Sequence, residues 1–148
     1  MPGRVVLGLD GSVHARRAEA FLATLRPAGR VRVVRVVEPV GPFTTGLLPA
    51  PVRNHILGEA GRLEAARRRL AQRDVEAAAR RLRRSGWRAT AEVRRGVPLE
   101  ELMKSVRAAH TDMLVVGARG VGGATRLLLG SVADGALRHA PCAVLVIR

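Results

Sequence analysis

Aromatic and sulfur-containing side chains are scarce in this chain of 148 residues, which has one cysteine, one tryptophan, two phenylalanines and no tyrosine. The single cysteine, Cys142, excludes an internal disulfide and is compatible with the cytoplasm. The shortage of aromatic rings leaves few platforms on which nucleic-acid bases could stack. No apolar run approaches the roughly 18 residues of a membrane-spanning helix, so no membrane partner is expected.

The first residues of the sequence do not show the pattern of a secretion signal. Met1 to Arg4 lead directly into an apolar strand, without separate basic, apolar and small-residue regions. We therefore expect a cytoplasmic protein. The length, with 47% hydrophobic residues, predicts a single domain over residues 1–148, because domains cluster at roughly 100–150 residues.

Acidic residues and lysine are the remaining shortages. The chain has 12 acidic and 26 basic residues, a formal charge of +14, and Lys104 is the only lysine. Such a charge makes nucleic acid a partner to consider. The arginine-rich composition, with abundant alanine, glycine and valine, is typical of genome bias, and stacking residues are few. We favour solvated arginine faces on helices and keep nucleic-acid binding as an alternative.

Strands alternate with helices along the whole chain. Short apolar runs, many of them β-branched, predict strands, and 3.6-residue apolar spacing predicts helices. The predicted strands are 4–9, 31–37, 87–93, 112–116 and 142–147. The first predicted helix begins after Ser12, and the other three cover 54–84, 98–106 and 131–139. This order predicts an open parallel sheet with helices on both faces, a Rossmann-like α/β fold.

Three details of these elements are expected as well. Ser12 is placed to cap the first helix. Leu63, Ala66 and Leu70 predict the inner face of the long helix, and Phe21 belongs to the inner face of the first helix. The alternation of apolar and polar residues from Trp87 to Arg94 predicts an edge strand with one wet side.

The stretch GARGVGGATRLLLGS, residues 117–131, follows the fourth strand and is rich in glycine. Successive N–H groups in such loops form anion-binding concavities. Ser131 with Asp134 resembles a capping box at a helix start, where free N–H groups favour phosphate. Arg119 and Arg126 add positive charge. The loop is neither a Walker A motif nor a dinucleotide fingerprint. It faces the turn Gly8 to Ser12 if the first and fourth strands are neighbours.

The spacing Gly117-x2-Gly120-x9-Gly130-Ser131 resembles the nucleotide-binding signature of the universal stress protein family, in its ATP-binding branch. The opening VVLGLDGSVHARRAEAF and the tail LLLGSVADGALRHAPCAVLVIR are similar to the first and last parts of that family. The resemblance implies a five-stranded parallel sheet of order 3-2-1-4-5, with ATP across strands 1 and 4. It also implies a homodimer through the last strand, Ala143 to Ile147, which agrees with the need to cover an apolar edge.

The resemblance implies the site residues by position. The adenine and ribose would lie against Gly8, Leu9, Asp10 and Val36. The ribose and phosphates would lie against Val116, Gly117, Ala118, Arg119, Gly120, Val121, Gly122 and Gly123, and the phosphate end against Gly130, Ser131 and Val132.

Binding and hydrolysis are separate questions for this chain. Rapid hydrolysis needs metal ligands, a positioned water and a charge clamp, and the sequence shows no Walker lysine and no pair of carboxylates near the loop. No catalytic residue is assigned, and Asp10 is the nearby acidic candidate for holding a Mg²⁺ ion. The histidines at 14, 55, 110 and 139 lack metal-site spacing. The prediction is an ATP-binding regulatory stress-response protein, with slow ATP hydrolysis or phosphotransfer as an alternative.

Overall fold

A computed structural model describes residues 3–27, 29–41, 45–121 and 129–148. Strands and helices alternate in the predicted order. The strands are β1 (Arg4–Leu9), β2 (Arg30–Val37), β3 (Arg88–Arg95), β4 (Met113–Gly117) and β5 (Ala143–Ile147). The helices are α1 (Val13–Thr24), α2 (Ala50–Arg84), α3 (Pro98–Ala108) and α4 (Ser131–His139).

The five strands form one parallel sheet in the order β3-β2-β1-β4-β5. The prediction of a Rossmann-like parallel sheet is therefore confirmed. β3 lies at one edge, as its alternation predicted, and the even-numbered Arg88 and Thr90 are exposed while Ala89 is buried.

Two hydrophobic cores cover the two faces of the sheet. On one face, α1 and α2 pack against odd-numbered residues of β1 and β2, with Leu7, Leu22 and Leu82 fully buried. On the other face, α3 and α4 pack against Val6, Val34 and neighbours. Central strands buried on both faces explain why β1 and β4 show apolar runs rather than alternation.

α1 begins as its sequence predicts. The Ser12 hydroxyl accepts a hydrogen bond from the Ala15 N–H at 3.0 Å, which caps the helix. Ala18 and Leu22 are buried, but Phe21 is 40% exposed. The inner face of this helix is therefore narrower than the apolar spacing predicted.

α2 differs most from expectation. It begins at Ala50 rather than near residue 54 and runs without interruption through Gly58 and Gly61. Leu63, Ala66 and Leu70, predicted to face inward, are exposed, and the buried residues of this helix begin at Ala71. A helix of 35 residues is about 52 Å long, whereas an eight-residue strand spans about 26 Å. The first half of α2 therefore extends beyond the sheet that would cover it.

Among the described residues, no helix is both long enough and apolar enough to cross a bilayer. Cys142 lies one residue before β5 and is partly buried. Burial raises the pKa of its thiol, which keeps the reactive thiolate scarce at neutral pH.

Candidate functional site

The order of the strands creates a crevice beside β1. The chain builds β2 and β3 on one side of β1, then crosses over to place β4 and β5 on the other side. In open α/β sheets, ligands bind at such a switch point, beyond the carboxyl ends of the strands. A cavity of about 440 Å³ opens there, and we refer to it as the carboxyl-end cavity.

Most of the predicted site residues line this cavity. They are Gly8, Leu9, Asp10, Val36, Val116, Gly117, Arg119, Gly120, Val121, Ser131 and Val132. Ala118 and Gly130 are predicted site residues that do not line the cavity, and the Gly130 N–H donates to the Ala118 carbonyl at 2.7 Å. Gly122, Gly123 and Arg126 lie outside the described residues. The two halves of the glycine stretch that are described thus meet at one opening.

The turn after β1 is shaped by its own side chains. The Ser12 N–H donates to Asp10 Oδ1 at 2.8 Å, and Gly11 has a φ of 82°, which favours glycine. The other oxygen of Asp10 faces the glycine loop, because a Cβ added to Gly120 would lie 2.9 Å from Asp10 Oδ2. The absence of a side chain at residue 120 therefore lets the two loops approach each other.

Gly117 has a different reason to be glycine. A Cβ there would lie 2.6 Å from the Ala15 nitrogen and 2.7 Å from the His14 carbonyl carbon, at the start of α1. In the part of the chain that is described, the left-handed glycines are 11, 41, 86 and 96, so Gly117, Gly120 and Gly130 are not required by backbone conformation. Close packing of protein against protein accounts for Gly117 before any ligand is considered.

The start of α4 faces the cavity. Gly130 occupies the cap position with no side-chain cap, and Ser131 is the first helical residue, so the predicted Ser131–Asp134 capping pair is wrong. Asp134 instead donates its N–H to the Gly130 carbonyl and pairs its carboxylate with Arg138 at 2.9 Å. The N–H groups of Ser131 and Val132 precede the first intrahelical bond, and their residues line the cavity. Donors in this position favour an anion.

Two charged residues of the lining were missed by sequence reasoning. Glu38 directly follows the carboxyl end of β2. Arg35 lies two residues before the end of that strand and forms an ion pair with Asp74 of α2. Burial lowers the pKa of the Arg35 guanidinium, and the nearby Asp10 carboxylate acts in the opposite direction. The signal was available, because the rule that ligands bind beyond strand ends applies to β2 as well as to β1 and β4.

Apolar residues supply the rest of the wall. Ala15, Val34, Pro98 and Leu102 also line the cavity and were not predicted. Pro98 and Leu102 come from α3, whose position over the sheet no local pattern specifies. The cavity therefore combines an apolar wall with a rim of N–H donors and charged groups. This combination suits a ligand with a flat, weakly polar part and an anionic part.

Metal ligation has no ready-made cluster in the described ranges, where no three His, Cys, Asp or Glu side chains converge. The carboxylates that line the carboxyl-end cavity are Asp10 and Glu38. Sequence reasoning recognised Asp10 alone, because Glu38 lies on a different loop and reaches the site only through the pairing of β2 with β1.

Comparison with known families and relatives gives a consistent result. The model of the universal stress protein family matches residues 1–148. A universal stress protein of Thermus aquaticus, encoded beside a QAH/OAS sulfhydrylase, is 33% identical over 147 residues, covering 97% of both chains.

Three solved structures share the fold at lower identity. The hypothetical protein MJ0577 is 20% identical, with a TM-score of 0.80 over 97% of this chain and 94% of its own. A universal stress protein in complex with cAMP is 21% identical, with a TM-score of 0.65 over 99% and 97%. A family member from Arabidopsis thaliana with AMP bound is 18% identical, with a TM-score of 0.62 over 99% and 91%.

Proposed function

The chain belongs to the universal stress protein family, and from that premise we propose that its carboxyl-end cavity binds ATP and that the bound state has a regulatory role. The observation that carries the proposal is the meeting of three elements at one opening: the Asp10 turn, Gly120 and the start of α4. Two neighbours of the same fold hold cAMP or AMP, which supports an adenine nucleotide as the ligand.

The residues of the cavity divide between the two ends of a nucleotide. Gly8, Leu9, Asp10 and Val36 would border the adenine and ribose, on the β1–β2 side of the opening. Ribose and phosphates would lie against Gly117, Arg119 and Gly120. The N–H groups of Ser131 and Val132, together with the Ser131 hydroxyl, would receive the phosphate end, since helix starts attract phosphate.

A Mg²⁺ ion accompanying ATP fits the donor set, since Mg²⁺ prefers a few carboxylate and phosphate oxygens and retains waters. Asp10 and Glu38 are the carboxylates on the lining that would hold it, directly or through water. Bound there, the ion would neutralise phosphate charge. The same two carboxylates favour slow ATP hydrolysis as the alternative function, and ADP formation above a heat-treated control would identify it.

Two serines at helix starts allow a sharp test of binding. Ser131→Ala removes a hydroxyl that caps nothing, so we expect ATP affinity to fall about tenfold, as for loss of one hydrogen bond to a charged group. Ser12→Ala removes a true cap and should cost about 1 kcal/mol of unfolding free energy while ATP affinity stays near wild type. Calorimetric titration with ATP and urea unfolding measure the two quantities.

Gly120→Val extends the test to the glycine loop, because its side chain would enter the space beside Asp10 Oδ2. We expect this variant, alone or combined with Ser131→Ala, to lose most ATP binding while remaining folded by circular dichroism. A wild-type protein that does not bind ATP, or a double variant with unchanged affinity, would overturn the proposal.

The assembly we propose is a homodimer through β5. This strand pairs with β4 on one side and forms an edge of the sheet on the other, and Val144 to Ile147 are only partly buried. An apolar edge strand is normally covered in natural proteins. Residues 1–148 would act as one domain in each protomer.

A further inference from the structure

A second cavity lies at the opposite end of the sheet, among the amino ends of β1, β2 and β3. Its volume is about 580 Å³, and we refer to it as the amino-end cavity. Five arginines line it: Arg4, Arg30, Arg32, Arg83 and Arg88. β1 has six residues between the two ends, so about 20 Å of strand separates this cavity from the carboxyl-end cavity.

Three of these arginines form a row across the sheet. Arg4 is paired in register with Arg30, and Arg30 is paired in register with Arg88. In-register residues of neighbouring strands point to the same face, about 4.8 Å apart per strand. Like charges placed directly opposite on neighbouring strands repel one another. The row is therefore unfavourable by itself, and an anion bound across it would relieve the repulsion.

The carboxylates nearby neutralise only part of this charge. Arg4 pairs with Asp112 at 2.9 Å, and Arg32 lies 3.5 Å from Glu92, which also pairs with Arg94 at 2.7 Å. Within the described ranges, the side chains of Arg30 and Arg88 make no hydrogen bond or ion pair, and both residues are exposed. Two guanidinium groups at the centre and end of the row are thus available to a ligand.

We propose that the amino-end cavity binds a compact chain of phosphates. The guanidinium fork matches phosphate oxygens in pairs, and three strands present the forks over a span of about 10 Å. The volume falls within the range of small-molecule sites, about 300–1,000 Å³. This second site is independent of nucleotide binding at the carboxyl-end cavity.

Single-stranded nucleic acid is the less suitable ligand for the same charge. Its binding relies on aromatic side chains on which bases stack. Trp87 is the tryptophan of this cavity, but it is 3% exposed and its indole N–H is engaged with the Leu22 carbonyl at 3.1 Å. The row therefore offers phosphate contacts without a surface for bases.

Inorganic tripolyphosphate is the probe, titrated calorimetrically into the full chain at constant ionic strength with one equivalent of ATP already bound. We expect one tripolyphosphate per chain. The variant Arg30→Gln/Arg88→Gln should bind at least tenfold more weakly, and it should fold normally because neither side chain has a partner in the described structure. The control Arg67→Gln/Arg69→Gln removes the same charge from exposed positions on α2 and should stay within twofold of wild type.

Several outcomes would overturn the proposal: no tripolyphosphate binding by wild type, equal weakening in both double variants, or displacement of ATP by the probe. Tighter, length-dependent binding of single-stranded DNA that is lost in Arg30→Gln/Arg88→Gln would also overturn it, because the row would then bind nucleic acid. In a titration with ATP alone, wild type is compared with the same variant. Binding of a second ATP by wild type but not by Arg30→Gln/Arg88→Gln would support the proposal and identify a nucleoside polyphosphate as the source of the phosphate chain.

Discussion

Single residues of the glycine stretch have separate physical reasons to lack a side chain. Gly117 approaches the backbone of α1, and Gly120 approaches the carboxylate of Asp10. Gly130 has little room for a side chain, since a Cβ there would lie 3.2 Å from the Arg119 Cα. The pattern of glycines was visible in the sequence, but which neighbour each one approaches depends on the crossing of α1 and β4, which are nearly 100 residues apart.

Substitution of Gly117 tests this packing argument. We expect Gly117→Ala to lower the free energy of unfolding by about 1–3 kcal/mol, because the new methyl group overlaps backbone that cannot move freely. Gly61→Ala is the control, since a Cβ at that helical position meets nothing within 4 Å, and it should stabilise the protein by up to about 1 kcal/mol. Chemical denaturation measures both. Equal stability of the two variants would contradict the packing argument.

At the scale of the element, the apolar spacing of a helix does not by itself show which part of the helix is buried. The spacing of Leu63, Ala66 and Leu70 resembles that of Val75, Ala78 and Leu82, yet only the second group is buried. The difference comes from the finite length of the sheet, which a periodicity within one helix does not contain. Phe21 is a different case, because Ala18 and Leu22 on either side of it along α1 are fully buried while Phe21 is 40% exposed, at the margin of the buried face.

A pair of leucines on α2 should separate these two regions. Leu82 is fully buried and Leu70 is 53% exposed. Leu82→Ala should cost about 3 kcal/mol of unfolding free energy, through lost burial and the cavity left behind. Leu70→Ala should change it by no more than about 0.5 kcal/mol. Urea unfolding of the two variants gives the comparison, and a large cost at Leu70 would mean that another surface covers this half of the helix.

The whole molecule is tied together at its margins by ion pairs that depend on pH. Glu101 of α3 contacts Lys104 at 2.5 Å and Arg94 of β3 at 2.9 Å, and these hydrogen bonds hold the pKa of the carboxyl below its usual range. Asp112 and Glu64 have pKa values lowered in the same way by Arg4 and Arg95. The Glu101–Arg94 pair joins α3 to β3, and the Glu64–Arg95 pair joins α2 to β3.

A lowered pKa in the folded state fixes the direction of the pH effect. Below about pH 4.5, the ordinary pKa of glutamate, the unfolded chain binds more protons than the folded protein does. The stabilisation from the ion pair is therefore complete above that pH and is lost as the pH falls towards the pKa of the folded state. We expect the urea midpoint to fall with acidification, and Glu101→Gln to flatten the fall. Glu100→Gln, an exposed neighbour, should keep the wild-type slope. Identical slopes for all three proteins would contradict the assignment to Glu101.

The resemblance to the universal stress protein family implied most of the carboxyl-end lining. Local pattern was sufficient for the class of fold, the number and order of its elements and the Ser12 cap. These follow from side-chain period and from backbone rules that act within a few residues. The tertiary structure alone decided the burial of α2, the role of Ser131 as an uncapped first residue, and the presence of Arg35 and Glu38 in the cavity. It also decided the row Arg4–Arg30–Arg88. The physical reason is strand register, which brings distant residues side by side and has no signature in any one segment.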